Sequence, residues 1–230
     1  MDFLMHYTDI TIGMPHLLAN GKLNLNHFVK ITGDAHWRVQ NKTPSELYVD
    51  SKRVYNSFLY TDINIQQHYR EDDKFIIETT GEQLDDYIYC STHKFNNDTV
   101  KMYTVGIHVE DHKVLRVDNS GTRRDIFWDK HRTEKLSANA ESYYVRTYQT
   151  SYLVDFNSAG ILYCANYLTF AYRYMSDLNF FKDIQEIYYL GNIKPNEKVH
   201  IGCSANNDLI MYSEDHTPIA VFKGSNIDES

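Results

Sequence analysis

The segment Ile161 to Met175, ILYCANYLTFAYRYM, constrains the fold more than any other stretch. A surface helix keeps its apolar residues to one stripe and leaves a polar face. This one is apolar nearly all the way round, so it must be covered on almost every side. A bilayer is not the cover expected, because no run of about 18 apolar residues exists. The cover must be protein, and a strongly curved antiparallel sheet can enclose a single helix.

Strand-forming segments are present in number. In the first half, extended pieces are expected at 3–12, 46–49, 53–65, 74–80, 87–93 and 100–109, rich in Tyr, Ile, Val, Phe and Thr. A helix is expected from Asn24, as N-cap, to Ile31, with Leu25, Phe28 and Val29 on one face and Gly33 ending it. In the second half an extended piece, 142–154, leads to a turn at 157–160 and the apolar helix. Further strands are expected at 184–190, 198–204, 208–213 and 219–223, separated by polar or proline-marked turns. Each half therefore reads strand, helix, then antiparallel strands, a repeat of architecture and not of sequence.

The class that follows is α+β, and the specific expectation is a double hot dog: two curved antiparallel sheets, each wrapped on a central helix, in one chain. The expected boundaries are a first domain over 1–118, a polar linker over 119–141 and a second domain over 142–230. Formal net charge is −8 at pH 7, which disfavours nucleic acid and anionic membranes as partners. Three scattered cysteines, Cys90, Cys164 and Cys203, and a start without a basic or apolar leader region lead to an expectation of a cytoplasmic protein without disulfides. No zinc pattern, phosphate loop or serine elbow is present. His108 and His112 have helical metal spacing on a segment that reads as strand, so no metal is expected.

The turn before the apolar helix carries the chemistry. Asn157-Ser158-Ala159-Gly160-Ile161, followed by Asn166-Tyr167, resembles the corresponding stretch of hot-dog thioesterases of the hydroxybenzoyl-CoA type. In those enzymes an Asp at the first position acts as nucleophile or general base. Here that position is Asn157, and an amide neither takes a proton from water nor attacks a carbonyl. It donates a hydrogen bond. The resemblance implies backbone N–H groups near Gly160 as an oxyanion hole at the helix start. Read without it, Asn157 is a helix cap.

Three motifs together, Gly13-Met14-Pro15-His16, Gly33-Asp34-Ala35-His36-Trp37 and Asp155-Phe156-Asn157-Ser158-Ala159-Gly160, resemble the leinamycin-type bifunctional acyltransferase/decarboxylase family of polyketide biosynthesis. The resemblance implies decarboxylation of a malonyl-type, methylmalonyl, coenzyme A thioester and loading of the acyl group onto an acyl carrier protein. It implies no cofactor beyond the coenzyme A substrate and the carrier's phosphopantetheine. An active-site tyrosine in that family matches the segment Arg53 to Tyr60. Strand parity puts Tyr55 with Ser57, Leu59 and Ile63 on the more apolar face, so Tyr55 is preferred to Tyr60. The expected catalytic set is Tyr55, Asn157 and His16. The expected substrate-binding set is Gly13, Met14, Ala159 and Gly160, with Arg123 and Arg124 for phosphates. A homodimer is among the assemblies the fold allows. The alternatives are a thioesterase or dehydratase on acyl-CoA or acyl-carrier substrates, and a thioester-binding module without turnover.

Overall fold

The computed structural model describes residues 5–18, 21–40, 48–49, 51–85, 88–110, 113–116, 138, 142–157 and 159–226. Backbone contacts divide the chain into two compact units, Met1–Gly106 and Ile107–Ser230. This division falls inside a strand, earlier than the expected boundary at residue 118. The expected linker, with Arg123 and Arg124, lies outside the described residues apart from Ala138.

The first unit runs β1 (Met5–Thr11), a 3-10 turn (Met14–His16), α1 (Leu25–Val39), the short pair β2 (Tyr48–Val49) and β3 (Lys52–Arg53), then β4 (Tyr55–Asn64), β5 (Lys74–Asp85), β6 (Ile88–Phe95) and β7 (Asp98–Glu110). The strand order is β1-β5-β6-β7-β4. The β1–β5, β5–β6 and β6–β7 pairs are antiparallel. Asn24 caps α1 as expected, its side chain accepting from the Asn26 N–H. The helix does not stop at Gly33. It continues to Val39 with Gly33 buried inside it, because Ala35, His36 and Val39 are all buried beyond it. Their burial outweighs the roughly 1 kcal/mol that a glycine costs inside a helix.

The helix–sheet interface has two halves of different character. Near the start of α1, Phe28, Phe75, Phe95 and Tyr69 form an aromatic core, with Phe28 and Phe95 centroids 4.7 Å apart. The Tyr69 hydroxyl donates to the buried Asp98 carboxylate at 2.7 Å. Near the end of α1 the contact is polar, through His36. There β5 comes so close that a Cβ on Gly81 would lie 2.9 Å from Val39 Cγ2, so only glycine fits.

The second unit holds the last residues of β7, then β8 (Lys113–Arg116), β9 (Ser142–Gln149), α2 (Tyr152–Asp155), α3 (Cys164–Asp177), β10 (Lys182–Tyr189), β11 (Lys198–Ser204), β12 (Leu209–Tyr212) and β13 (Pro218–Asn226). β8 pairs with β7. The others run β10-β13-β12-β11-β9, antiparallel in every registered pair. The expected extended piece over 142–154 ends at Gln149. Asp155 closes the short α2 turn instead, its Oδ2 accepting the Ser151 N–H at 2.7 Å. In α3 every residue from Cys164 to Ala171 is buried except the half-buried Thr169, and Arg173, Ser176 and Asp177 are exposed. The helix is thus covered all round over its first two turns, which its composition required.

Candidate functional site

The two helix-leading turns share one hydrogen-bond pattern at a constant offset of 139 residues. The Leu18 N–H donates to Lys22 O, and the Asn157 N–H donates to Ile161 O. The Gly21 N–H donates to Leu18 O, and the Gly160 N–H to Asn157 O. Both glycines are left-handed, with φ of 77° and 72°. An isolated antiparallel bridge flanks each turn, Leu17 with Leu23 and Phe156 with Leu162. The N-cap N–H of each long helix reaches back, Asn24 to His16 O and Tyr163 to Asp155 O. His16 and Asp155 also play one role. Each side chain accepts a backbone N–H from just before its short helical turn, Gly13 to His16 Nδ1 at 3.0 Å and Ser151 to Asp155 Oδ2 at 2.7 Å.

The side chains then differ. Asn157 stands where the first unit has Leu18. Its Oδ1 accepts two N–H groups, from Ala159 at 3.0 Å and Ile161 at 3.1 Å, an Asx-type turn. Asn157 is exposed, and its Nδ2 donates to no described residue. Asn192 braces the same loop, accepting from the Leu162 N–H at 2.9 Å and donating to Gly160 O at 3.3 Å. Asn166 Nδ2 donates to Asp155 O at 3.0 Å. The consequence for the expected oxyanion hole is direct. The N–H groups of Ala159, Gly160, Ile161, Leu162 and Tyr163 all have acceptors within the turn and its braces. With Gly160 committed in this way, the donor left among the described residues of the turn is the Asn157 amide. Nor is Asn157 the cap of α3, whose N-cap is Tyr163.

In the first unit, a ring that accepts at Nδ1 carries its proton on Nε2, so His16 keeps an N–H to offer. His27 lies beside it, ring centroids 6.2 Å apart. Burial first, then Lys30 and His16, hold the His27 ring below its ordinary pKa. Gly13 is the N-cap of the 3-10 turn, and Met14 is 75% exposed.

Tyr55 is placed otherwise than parity predicts. Its neighbour Asn56 donates to Gln40 at the end of α1 at 3.1 Å, and Phe58 packs on His36 and Trp37. Those even positions face the helix, so Tyr55 faces away from it, under the exposed Arg53 guanidinium at 4.9 Å from its ring. Tyr60 packs on Tyr103, which alternates with the helix-facing Thr104, so Tyr60 also faces away. The pleat breaks between Phe58 and Tyr60, where four consecutive residues, 58–61, are buried and alternation carries no information. His16 lies at the start of α1 and Tyr55 at its end. Fifteen helical residues separate those ends, roughly 22 Å, so the two do not meet on one reacting group.

The first unit also holds a polar chain that no sequence motif announced. His36 Nε2 meets Thr104 Oγ1 at 3.1 Å, and His36 Nδ1 meets Ser91 Oγ at 2.7 Å. Ser91 Oγ meets His93 Nε2 at 2.8 Å, and His93 Nδ1 meets Thr79 Oγ1 at 2.9 Å. All five residues are fully buried. Burial, then His36, push the His93 ring down to about 3. With both rings neutral, each bond finds one donor and one acceptor, so the chain is fully satisfied. His36 stands inside the Gly33–Trp37 stretch, but nothing in the sequence joins it to Ser91 or His93.

In each unit an antiparallel sheet packs on one long buried helix, as in a hot-dog fold, and the comparisons with solved structures support that fold. The chain matches an acyl-ACP thioesterase from Bacteroides thetaiotaomicron with a TM-score of 0.66 at 10% identity, over 97% of this chain and 98% of that one. It matches a 12:0-ACP thioesterase from Umbellularia californica with a TM-score of 0.65 at 7% identity, over 97% of this chain and 98% of that one. At these identities the likeness is one of fold. No family model matches the chain, and no curated protein does. No helix among the described residues is long and apolar enough to cross a membrane.

Proposed function

We propose that the chain is a double hot-dog enzyme that decarboxylates a malonyl-type coenzyme A thioester, methylmalonyl-CoA in the first instance, and passes the acyl group to the thiol of an acyl carrier protein. The observation that carries this reading is Asn157. The turn ahead of the apolar helix presents an amide donor where the resembling thioesterases hold a carboxylate. Decarboxylation needs no base. The carboxylate leaves as carbon dioxide when its bond stands perpendicular to the thioester plane, and the enolate oxygen left behind needs hydrogen-bond donors. Asn157 Nδ2 has the right character for that oxygen. The enolate then takes a proton, and the carrier thiol displaces coenzyme A. His16 Nε2–H is a second donor, suited to a carboxylate or carbonyl. A tyrosine-bound acyl intermediate on Tyr55 would form in a step that does not use His16, which lies at the other end of α1, and Tyr55→Phe tests that step separately.

The test is incubation with methylmalonyl-CoA and a holo carrier protein, followed by intact-mass measurement. The expected product is carrier heavier by a propionyl group. Unmodified carrier with intact methylmalonyl-CoA overturns the proposal. Steady release of free acid without carrier acylation favours hydrolysis instead, the second reading, which rests on the fold shared with acyl-ACP thioesterases.

A further inference from the structure

At the far end of α1 two side-chain amides meet and leave themselves half satisfied. Gln40, which closes the helix, is 9% exposed, and Asn56 Nδ2 donates to its Oε1 at 3.1 Å. Gln40 Nε2 and Asn56 Oδ1 are buried as well, and neither has a hydrogen-bond partner among the described residues. One donor and one acceptor therefore flank a single amide–amide bond, out of water and unused. Exchanging oxygen for nitrogen in both amides reverses that bond and still leaves one donor and one acceptor over. Buried polar atoms without partners cost stability, so a pair kept in this state has a reason outside folding. The fold does not demand it, because the long helix of the second unit closes on an apolar residue, Leu178.

The two atoms define what answers them. The ligand must accept from Gln40 Nε2 and donate to Asn56 Oδ1. A buried water ordinarily makes about three hydrogen bonds, and this pair offers only two. Secondary amides carry both groups that are needed, a C=O and an N–H. The next contact of the same helix and strand is apolar. Trp37 lies one turn before Gln40 and Phe58 two residues after Asn56, their ring centroids are 5.4 Å apart, and Trp37 is 36% exposed. A chain that alternates amides with unbranched methylenes suits an amide pair beside an aromatic strip. Pantetheine is such a chain, and it is the arm that both coenzyme A and a holo carrier protein present.

We propose that Gln40 Nε2 and Asn56 Oδ1 bind the amide groups of a pantetheine arm, with Trp37 against its methylenes. The identity of the ligand rests on the thioester reading above; the site goes beyond that reading, which uses neither Gln40 nor Asn56. The shared chemistry is the arm itself, and coenzyme A and the carrier are its two sources. Free of ligand, the pair carries the cost of two unpaired atoms, and binding removes it, so the site favours an amide over an apolar chain of the same shape.

The experiment compares the full chain with Gln40→Met/Asn56→Leu, in which both side chains nearly keep their size and lose their polar atoms. Binding of pantetheine is followed by ligand-observed NMR, and binding of coenzyme A and of apo and holo carrier protein by titration calorimetry. Thermal unfolding of both proteins without ligand is measured alongside. The wild type should bind pantetheine, and the variant should bind it about tenfold more weakly or worse. The ligand-free variant should melt at the same temperature or higher, because exchanging both polar partners for apolar groups removes the cost of the unpaired atoms. A matching loss with coenzyme A assigns coenzyme A as the source, and a lost preference for holo over apo carrier assigns the carrier; each upholds the site. Pantetheine binding that the variant loses, in a protein that does not turn over methylmalonyl-CoA, upholds the site while the catalytic reading fails. No pantetheine binding by the wild type, or equal binding by the variant, overturns it. So does a lowered melting temperature of the ligand-free variant, because the two atoms are then satisfied within the free protein.

Discussion

The two helix-leading turns share a backbone and divide at the side chains. Leu18 and Asn157 begin the same loop, close it onto the same kind of left-handed glycine, and precede the same N-cap donation. The first turn closes without any side-chain acceptor at Leu18, so the fold does not require Asn157. Its amide is an addition to a loop that the backbone already supports. The difference extends below the turns. α1 rests at its far end on the buried imidazole chain. The equivalent stretch of α3 ends in Tyr174 and Met175, both buried, and among the described residues it meets no such chain.

The largest expected effect separates the two units by pH. The His93 pKa is lowered from 6.5 to about 3 in the folded protein, by burial first. The unfolded chain therefore takes up the proton first as pH falls. The stability that neutral His93 confers is complete above pH 6.5 and is lost progressively down to about pH 3. At pH 4 the loss is about 3 kcal/mol. Urea unfolding at pH 7 and pH 4 checks this, and His93→Gln should remove that part of the pH dependence. Amides of β5 and β6 should lose hydrogen-exchange protection before those of β11 to β13. Uniform loss across both units breaks the comparison.

Next in size, Asn157→Ala removes the acceptor for two N–H groups and should cost about 2 kcal/mol. Leu18→Ala at the equivalent position removes no turn hydrogen bond and should leave its loop closed. Asn157→Leu copies the first unit's turn but loses the same two accepted bonds; it should fold with a similar loss of about 2 kcal/mol and abolish carrier acylation. Thermal unfolding and the mass assay read both. Asn192→Ala, which frees the Leu162 N–H, should cost about 1 kcal/mol and lower turnover more than affinity. The smallest effect is expected of His16→Leu, about 1 kcal/mol or less for the single Gly13 hydrogen bond. If His16 binds substrate through Nε2, KM for methylmalonyl-CoA rises in addition.

Much of this comparison could be read in the sequence, and the unread part has definite causes. The Asn24 cap, the β11 limits at Lys198 and Ser204, and the buried helix from Cys164 onward follow from local chemistry and periodicity. The repeat was visible only as an order of elements, because the two turns share backbone hydrogen bonds, a glycine (Gly21, Gly160) and a leucine (Leu23, Leu162), and little else. Gly33 misled because a helix terminator is a local signal, and the burial that overrides it is tertiary. Tyr55 misled because β4 is apolar on both faces in its middle, so period-two reading cannot sense the break after Phe58. His36, Ser91 and His93 come from a helix and a strand, and only the folded register joins them. At the turn itself, the sequence shows Asn157 in the position that the thioesterase resemblance gives to a carboxylate. That its carbonyl is spent on the turn, leaving only the amide donor, required the geometry.

Asn157→Asp tests the central claim most directly. A carboxylate keeps the two accepted N–H bonds, so the turn stays closed, but it replaces the outward donor with a base. The measurement is the ratio of acylated carrier to free acid formed from methylmalonyl-CoA, wild type against variant. The account predicts acylated carrier as the main wild-type product. In the variant, acylation should fall at least tenfold and free acid rise above the wild-type level. Free acid as the main product of the wild type, or carrier acylation by Asn157→Asp at the wild-type rate, contradicts it.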